Sequence, residues 1–149
     1  MKIIGCGSQD RADDQAGLAA AERLQLSGID AEAYTGDALS LIEKWQSNDD
    51  VILIDAIVSE DSPGRVRVWD STVPGEEFPN PAERLAVSSH GFDIAKAIEL
   101  ARALGKLPKR LRIFGIEGAH FERGASMSPE VENAVDQVVE KISQVVAGE

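Results

Sequence analysis

The sequence holds a single cysteine, Cys6, among its 149 residues. An internal disulfide and any multi-thiolate metal site are therefore excluded, and a metal bound here would take oxygen and nitrogen ligands. Positive charge is scarce as well: 15 Lys and Arg stand against 26 Asp and Glu, a formal net charge of −11. A non-specific grip on phosphate backbones or anionic lipid would work against that field, so neither nucleic acid nor a membrane surface is expected as a partner. Long apolar runs are missing too, since none approaches the roughly 18 residues that would cross a bilayer. The opening Met1-Lys2-Ile3-Ile4-Gly5-Cys6-Gly7 turns polar too early for a signal peptide. A cytoplasmic location is the expectation.

What is present is a globular composition, 43% hydrophobic, which is enough for a packed core. At about 100–200 residues per domain, the expectation is one domain over residues 1–149. Ile3 and Ile4 form a short apolar run stopped by Gly5-Cys6-Gly7, a buried strand ending in a turn. Helical spacing through Ala16, Ala19, Ala20 and Leu24 follows, with Gly28 as its stop. Ala31 to Thr35 form a weak second strand, and Leu39, Leu41, Ile42 and Trp45 a short second helix. Val51-Ile52-Leu53-Ile54 is continuously apolar and β-rich, as strands covered on both faces are, and should be central.

Only Ser59 to Gly64 separate that strand from the alternating Arg65-Val66-Arg67-Val68-Trp69. A parallel crossover needs a dozen or more residues, so the fourth strand should run antiparallel and at an edge. Residues 71 to 88, with Pro74, Pro79 and Pro81, read as a long irregular connection of the kind that serves function. A third helix is predicted from about Asp93 to Leu104, and a fifth strand over Leu111 to Ile116. Ser128-Pro129-Glu130 opens a last helix with Ser128 as N-cap, its apolar side carrying Val131, Val135, Val138, Ile142 and Val145. Strands alternating with helices imply an α/β protein, a three-layer α/β/α sandwich around a mostly parallel sheet.

Ligands of open α/β sheets bind beyond the carboxyl ends of the strands. Three places there carry polar side chains: Asp13 and Asp14 after the first strand, Asp55 at the end of the apolar strand, and His90 before the third helix. Asp13 or Asp14 could simply cap a helix, and a lone histidine on a loop is usually solvated. Asp55 is harder to dismiss, because a carboxylate closing a buried strand must be solvated, paired or coordinated. Together, two carboxylates and an imidazole form a three-ligand set with an open position, suited to zinc, nickel or cobalt.

Other constellations are weaker. Glu117 and His120 could ligate a metal, but Gly118 interrupts any helix that would pair them, and the stretch reads as a solvated or substrate-contacting loop. Gly5-Cys6-Gly7 invites comparison with a dinucleotide fingerprint, yet position 10 is Asp and the acidic pair adds negative charge where phosphate would sit. Cys6 reads as a small buried hydrophobe rather than a nucleophile. Ser88 and Ser89 lack the strained elbow of hydrolases.

The order of these pieces resembles the hydrogenase maturation proteases, which trim the C-terminal extension of nickel-containing hydrogenase large subunits. Gly5-Cys6-Gly7-Ser8 followed by Asp13-Asp14 and Gly17 matches their G-x-G-N stretch and acidic pair. Val51 to Asp55 with Pro63-Gly64, then Ser89-His90-Gly91, then Phe114-Gly115-Ile116-Glu117, Gly124 and Ser128-Pro129-Glu130-Val131 continue the likeness over nearly the whole chain.

The resemblance implies a phosphorylase/hydrolase-like fold with strand order 2-1-3-5-4 and the fourth strand antiparallel. It also implies a nickel site of Asp14, Asp55 and His90, with the nickel supplied by the hydrogenase large-subunit precursor, and zinc or cadmium as stand-ins in crystals. On this reading the protein is a nickel-dependent endopeptidase whose activity falls at acid pH as the ligands protonate. Two departures, Ser8 for Asn and Gln15 for Gly, bear on loop shape and substrate preference. A non-cleaving metal-sensing chaperone for the same precursor is the alternative, and an α/β hydrolase-like domain using another metal and substrate is a third reading.

Overall fold

The computed structural model describes residues 1–76 and 94–148. Five strands form one sheet in the order β2-β1-β3-β5-β4: β1 Lys2–Cys6, β2 Glu32–Tyr34, β3 Asp50–Ile57, β4 Val66–Asp70 and β5 Arg110–Glu117. All neighbouring pairs are parallel except β4 with β5. The expected order and the single antiparallel edge are therefore both found. β4 lies beside β5 rather than beside β3, to which the short connection joins it.

β3 is central because its side chains can be buried on both faces. Val51, Leu53 and Ile57 join the core beneath α2 (Ala38–Ile42) and α3 (Ile94–Ala103). Ile52, Ile54 and Ala56 join the core beneath α1 (Ala16–Leu26) and α4 (Pro129–Ala147). Fully burying one such aliphatic side chain is worth about 1.5–3 kcal/mol, which is why the continuous run outcompetes alternating segments for the middle of the sheet. β4, whose Arg67 and Val68 reach solvent, occupies the edge.

α4 buries Val131, Val135, Val138 and Ile142 at helical spacing against α1, where Ala20 and Ala21 permit close approach. Arg23 of α1 bridges to Glu132 at 2.7 Å and Asp136 at 2.8 Å. All three side chains are partly exposed, so the bridge adds at most about 1 kcal/mol. Among the described residues no helix is long and apolar enough to cross a membrane.

Two local expectations differ from what is observed, and a third is met with different bonding. β3 runs past Asp55 to Ile57, because β5 continues alongside it through Gly115, Ile116 and Glu117 and because Ala56 and Ile57 are themselves apolar. Ser128 is the N-cap of α4, as expected, with extended dihedrals, but its side chain makes no cap bond; its hydroxyl donates to Asp13. Neither Asp13 nor Asp14 caps α1. Both lie in a 3-10 turn, Ala12–Gln15, and the α1 N-cap is Gln15, without a side-chain cap bond. The third helix begins within the described residues at Ile94; Asp93 and most of the irregular connection lie outside them.

Candidate active site at the carboxyl end of the sheet

The 3-10 turn reaches the sheet through glycines. A Cβ on Gly17 would lie 2.2 Å from the Cys6 carbonyl oxygen and 2.4 Å from that of Ile54, and one on Gly7 would lie 2.2 Å from the carbonyl oxygen of Asp14. Real Cβ atoms do not approach backbone so closely, so only glycine lets the start of α1 rest on β1 and β3. Ser8 N–H donates to the Asp14 carbonyl at 3.2 Å and ties the turn back to β1. The seat sets Gly17 against Ile54, the residue before Asp55, and Asp14 three residues before Gly17. Packing of the 3-10 turn against β3 completes the approach of the two segments.

Asp14 is 1% and Asp55 5% exposed. Strand alternation puts Asp55 on the same face as Val51, Leu53 and Ile57, above α3. Its Oδ1 accepts from Ala56 N–H at 2.9 Å. Cys6 lies nearby and is fully buried. Burial first, then the charges of Asp55 and Glu32, push its thiol well above the ordinary value, which suits a small core residue and not a nucleophile. His90, the third expected ligand, lies outside the described residues. Among the described residues, no three His, Cys, Asp or Glu side chains gather into a metal-holding group. Asp14 and Asp55 nevertheless supply two buried oxygen donors on adjoining segments, a donor chemistry that fits a borderline divalent cation.

The neighbouring carboxylates have other duties. Asp13 is wholly buried. Its Oδ2 accepts from Ala119 N–H at 2.8 Å, His120 N–H at 3.0 Å and the Ser128 hydroxyl at 2.8 Å, and its Oδ1 accepts from Ser128 N–H at 2.7 Å. Burial would raise its pKa, but these donors outweigh burial and hold the carboxyl below its ordinary value. Asp13 thus staples the loop between β5 and α4.

Glu117, only 2% exposed at the end of β5, accepts from Ser59 N–H at 2.9 Å and from the Ser59 hydroxyl. It belongs to a strand and anchors the β3–β4 connection, where a solvated loop residue was expected. His120 is largely exposed, 3.7 Å from Glu122, and keeps its expected place on the loop.

Sequence spacing does not disclose the Asp13 staple, because its partners lie more than a hundred positions away. The available signal was the acidic pair itself: two adjacent carboxylates at the foot of a helix, neither bound to cap it.

Comparison with known proteins bears on this arrangement. The family model HycI, described as hydrogenase maturation protease, matches residues 29–145. The chain is 25% identical over 152 residues to the hydrogenase expression/formation protein HupD of Thiocapsa roseopersicina, a match spanning 97% of this chain and 66% of that protein. Its fold is similar to that of the [NiFe] hydrogenase maturation protease HybD from Thermococcus kodakarensis, at TM-score 0.73 and 22% identity over 97% of this chain and 99% of the other. It is equally similar to the hydrogenase maturating endopeptidase HybD from E. coli, at TM-score 0.73 and 24% identity over 99% and 93% of the two chains.

Proposed function

Because the chain belongs to the hydrogenase maturation protease family, we propose that it is the endopeptidase that removes the C-terminal extension of a nickel-loaded hydrogenase large-subunit precursor. The observation that carries this reading is the pair Asp14 and Asp55, buried at the carboxyl end of the sheet on segments that Gly17 holds in backbone contact.

In this reading Asp14, Asp55 and His90 grip the nickel that the precursor brings, and the ion serves as the recognition element of the substrate. An O/O/N set holds such a cation without thiolates, in keeping with a chain whose one cysteine is buried. Peptide hydrolysis adds water across the scissile amide: the attacking water gives up a proton, the leaving amine gains one, and the C–N bond breaks. The proton traffic is assigned to Asp14 or Asp55, the buried carboxylates of the proposed set. A cytoplasmic setting accompanies the proposal.

The test is incubation of the purified protein with its large-subunit precursor, with and without nickel, read by mass. Loss of the extension from the nickel-loaded precursor alone is expected. An unchanged mass with tight complex formation would replace the protease by a binding protein for the same client. Cleavage of small peptides without nickel would point to a hydrolase of another kind.

A further inference from the structure

A second polar feature adjoins the site and is not used by the mechanism above. The segment after β1 and the loop after β5 are laced together by backbone: Gly124 N–H donates to Asp10 O at 2.7 Å and Ala12 N–H to Ala125 O at 2.9 Å. The Gln15 side-chain amide adds bonds to Ala12 O at 3.2 Å and Ala125 O at 3.4 Å. Beside this seam opens a cavity of about 440 Å³ lined by Ser8, Gln9, Asp10, Arg11, Thr35 and Arg123. Two arginines and one aspartate line it, a local excess of positive charge in a chain of net charge −11.

Arg11 sits between two residues in a sparsely populated backbone conformation. Asp10 (φ 61°) and Ala12 (φ 49°) on either side of it are non-glycine residues in left-handed conformations, and only Glu60 shares that feature among the described residues. Such residues persist where surrounding bonds over-determine them, and here the two seam hydrogen bonds do so. The cavity also touches the proposed catalytic residues: Ser8, on its wall, donates its N–H to the Asp14 carbonyl.

We propose that this cavity binds a carboxylate of the peptide being processed, with the Arg11 and Arg123 guanidinium groups as charged donors and the Ser8 and Thr35 hydroxyls as neutral ones. The proposal rests on the protease reading and names a substrate feature that reading leaves open: an acidic group on the part of the precursor lying across the ends of β1 and β2. Arginine suits the task because its planar fork meets a carboxylate with two parallel hydrogen bonds. A cationic pocket in an acidic protein also orients an incoming peptide and rejects one lacking the charge.

Steady-state cleavage of the nickel-loaded precursor by R11Q, R123Q and the double variant tests the idea, with K141Q on the far side of α4 as the control for lost charge. The double variant is expected to raise KM about tenfold, as for loss of a charge-assisted contact, with kcat within about twofold. R123K should retain most of the affinity, and added salt should raise KM in the wild type but not in the double variant. A KM for the double variant equal to that of K141Q overturns the proposal.

A labelled peptide of the extension, titrated without nickel, gives a readout independent of cleavage. If amidating its C-terminus weakens binding to wild type as much as R123Q does, the terminal carboxylate is the ligand. If replacing its Asp and Glu by Asn and Gln does so, a side chain is. No binding, or binding indifferent to both changes, sinks the cavity's role. Failure of the wild type to cut the precursor would instead sink the protease reading, while the peptide titration still decides the cavity.

Discussion

The carboxylates Asp50 and Asp70 at one end of the sheet and Asp13 and Glu117 at the other are held by different kinds of partner. At the amino end of β3 and β5 two acids meet arginines: Asp50 takes Arg112 Nη2 on both oxygens at 3.0 and 2.9 Å, and Asp70 takes Arg110 Nη2 at 2.7 Å. At the carboxyl end, Asp13 and Glu117 are held by amide and hydroxyl donors, with Asp14 and Asp55 buried beside them. Arginine neutralises a carboxylate, whereas amides and hydroxyls stabilise it while leaving its charge in place. The first arrangement fastens strands. The second suits the end of the sheet where the proposed function places its cation.

The strongest way to break the comparison is to remove charge at the carboxyl end without removing structure. Asp14→Asn and Asp55→Asn are each expected to abolish processing of the nickel-loaded precursor while melting temperatures stay within about 5 °C of wild type. His90→Ala should do the same. Full activity in any one of the three, with circular dichroism showing a native fold, would remove that residue from the site. Glu117→Gln should leave processing largely intact, and equal loss there would mean that the loop anchors, not Asp14 and Asp55, do the chemistry.

Next in size is the seat. Gly17→Ala forces a Cβ into the carbonyl oxygens of Cys6 and Ile54, and backbone cannot yield as a flexible side chain does. A loss of more than about 3 kcal/mol is expected, together with lost processing even at temperatures where the variant remains folded. Urea denaturation measures the first and the mass assay the second. A stable and active Gly17→Ala protein would show that the turn need not touch the sheet.

Asp13→Asn separates holding a loop from holding an ion. The amide oxygen can still accept, but its NH2 would face a donor, so one or two of the four bonds are lost and a buried donor is left unmatched. The expected cost is about 2–3 kcal/mol, or about 5–10 °C in melting temperature for a chain of this size. kcat should change far less than in Asp14→Asn. Hydrogen exchange at the amides of Ala119, His120 and Ser128 should rise together, and unchanged protection would mean that the loop has other anchors.

How much of this was legible beforehand follows from how far each interaction reaches along the chain. The central place of β3 follows from four consecutive β-branched and leucine side chains, a local property. The antiparallel edge follows from the shortness of the connection before Arg65, also local. Asp14 and Asp55 stood out as carboxylates next to apolar segments and through family likeness. The Asp13 staple and the Ser59–Glu117 contact join positions 115 and 58 apart at the farthest, and no periodicity encodes such pairs. Gly118 made Glu117 look like a loop residue, although the strand runs one residue further than its apolar pattern. Ser128 takes the N-cap position that its place before Pro129 indicated, while the donation of its hydroxyl to Asp13, 115 positions away, was not legible.

The smallest effect sharpens the comparison from the other end. Arg110 holds the Asp70 carboxyl at about 2, down from 3.8, against the opposing effect of burial and with help from Thr72 N–H and its hydroxyl. A carboxyl with a lowered folded-state pKa contributes stability that is complete above its unfolded value and disappears as pH falls through the folded one. The contribution is thus full above about pH 4 and gone below about 2. Its size is at most about 2 kcal/mol, reduced by the water that reaches the partly exposed Arg110. Asp70→Asn should therefore melt below wild type at pH 7 and match it near pH 2, and its processing at neutral pH should be unchanged because the pair lies at the far end of the sheet. A gap in melting temperature that persists unchanged into acid would mean that Asp70 acts through packing, and the contrast between arginine-held and amide-held carboxylates would then rest on Asp50 and Arg112 alone.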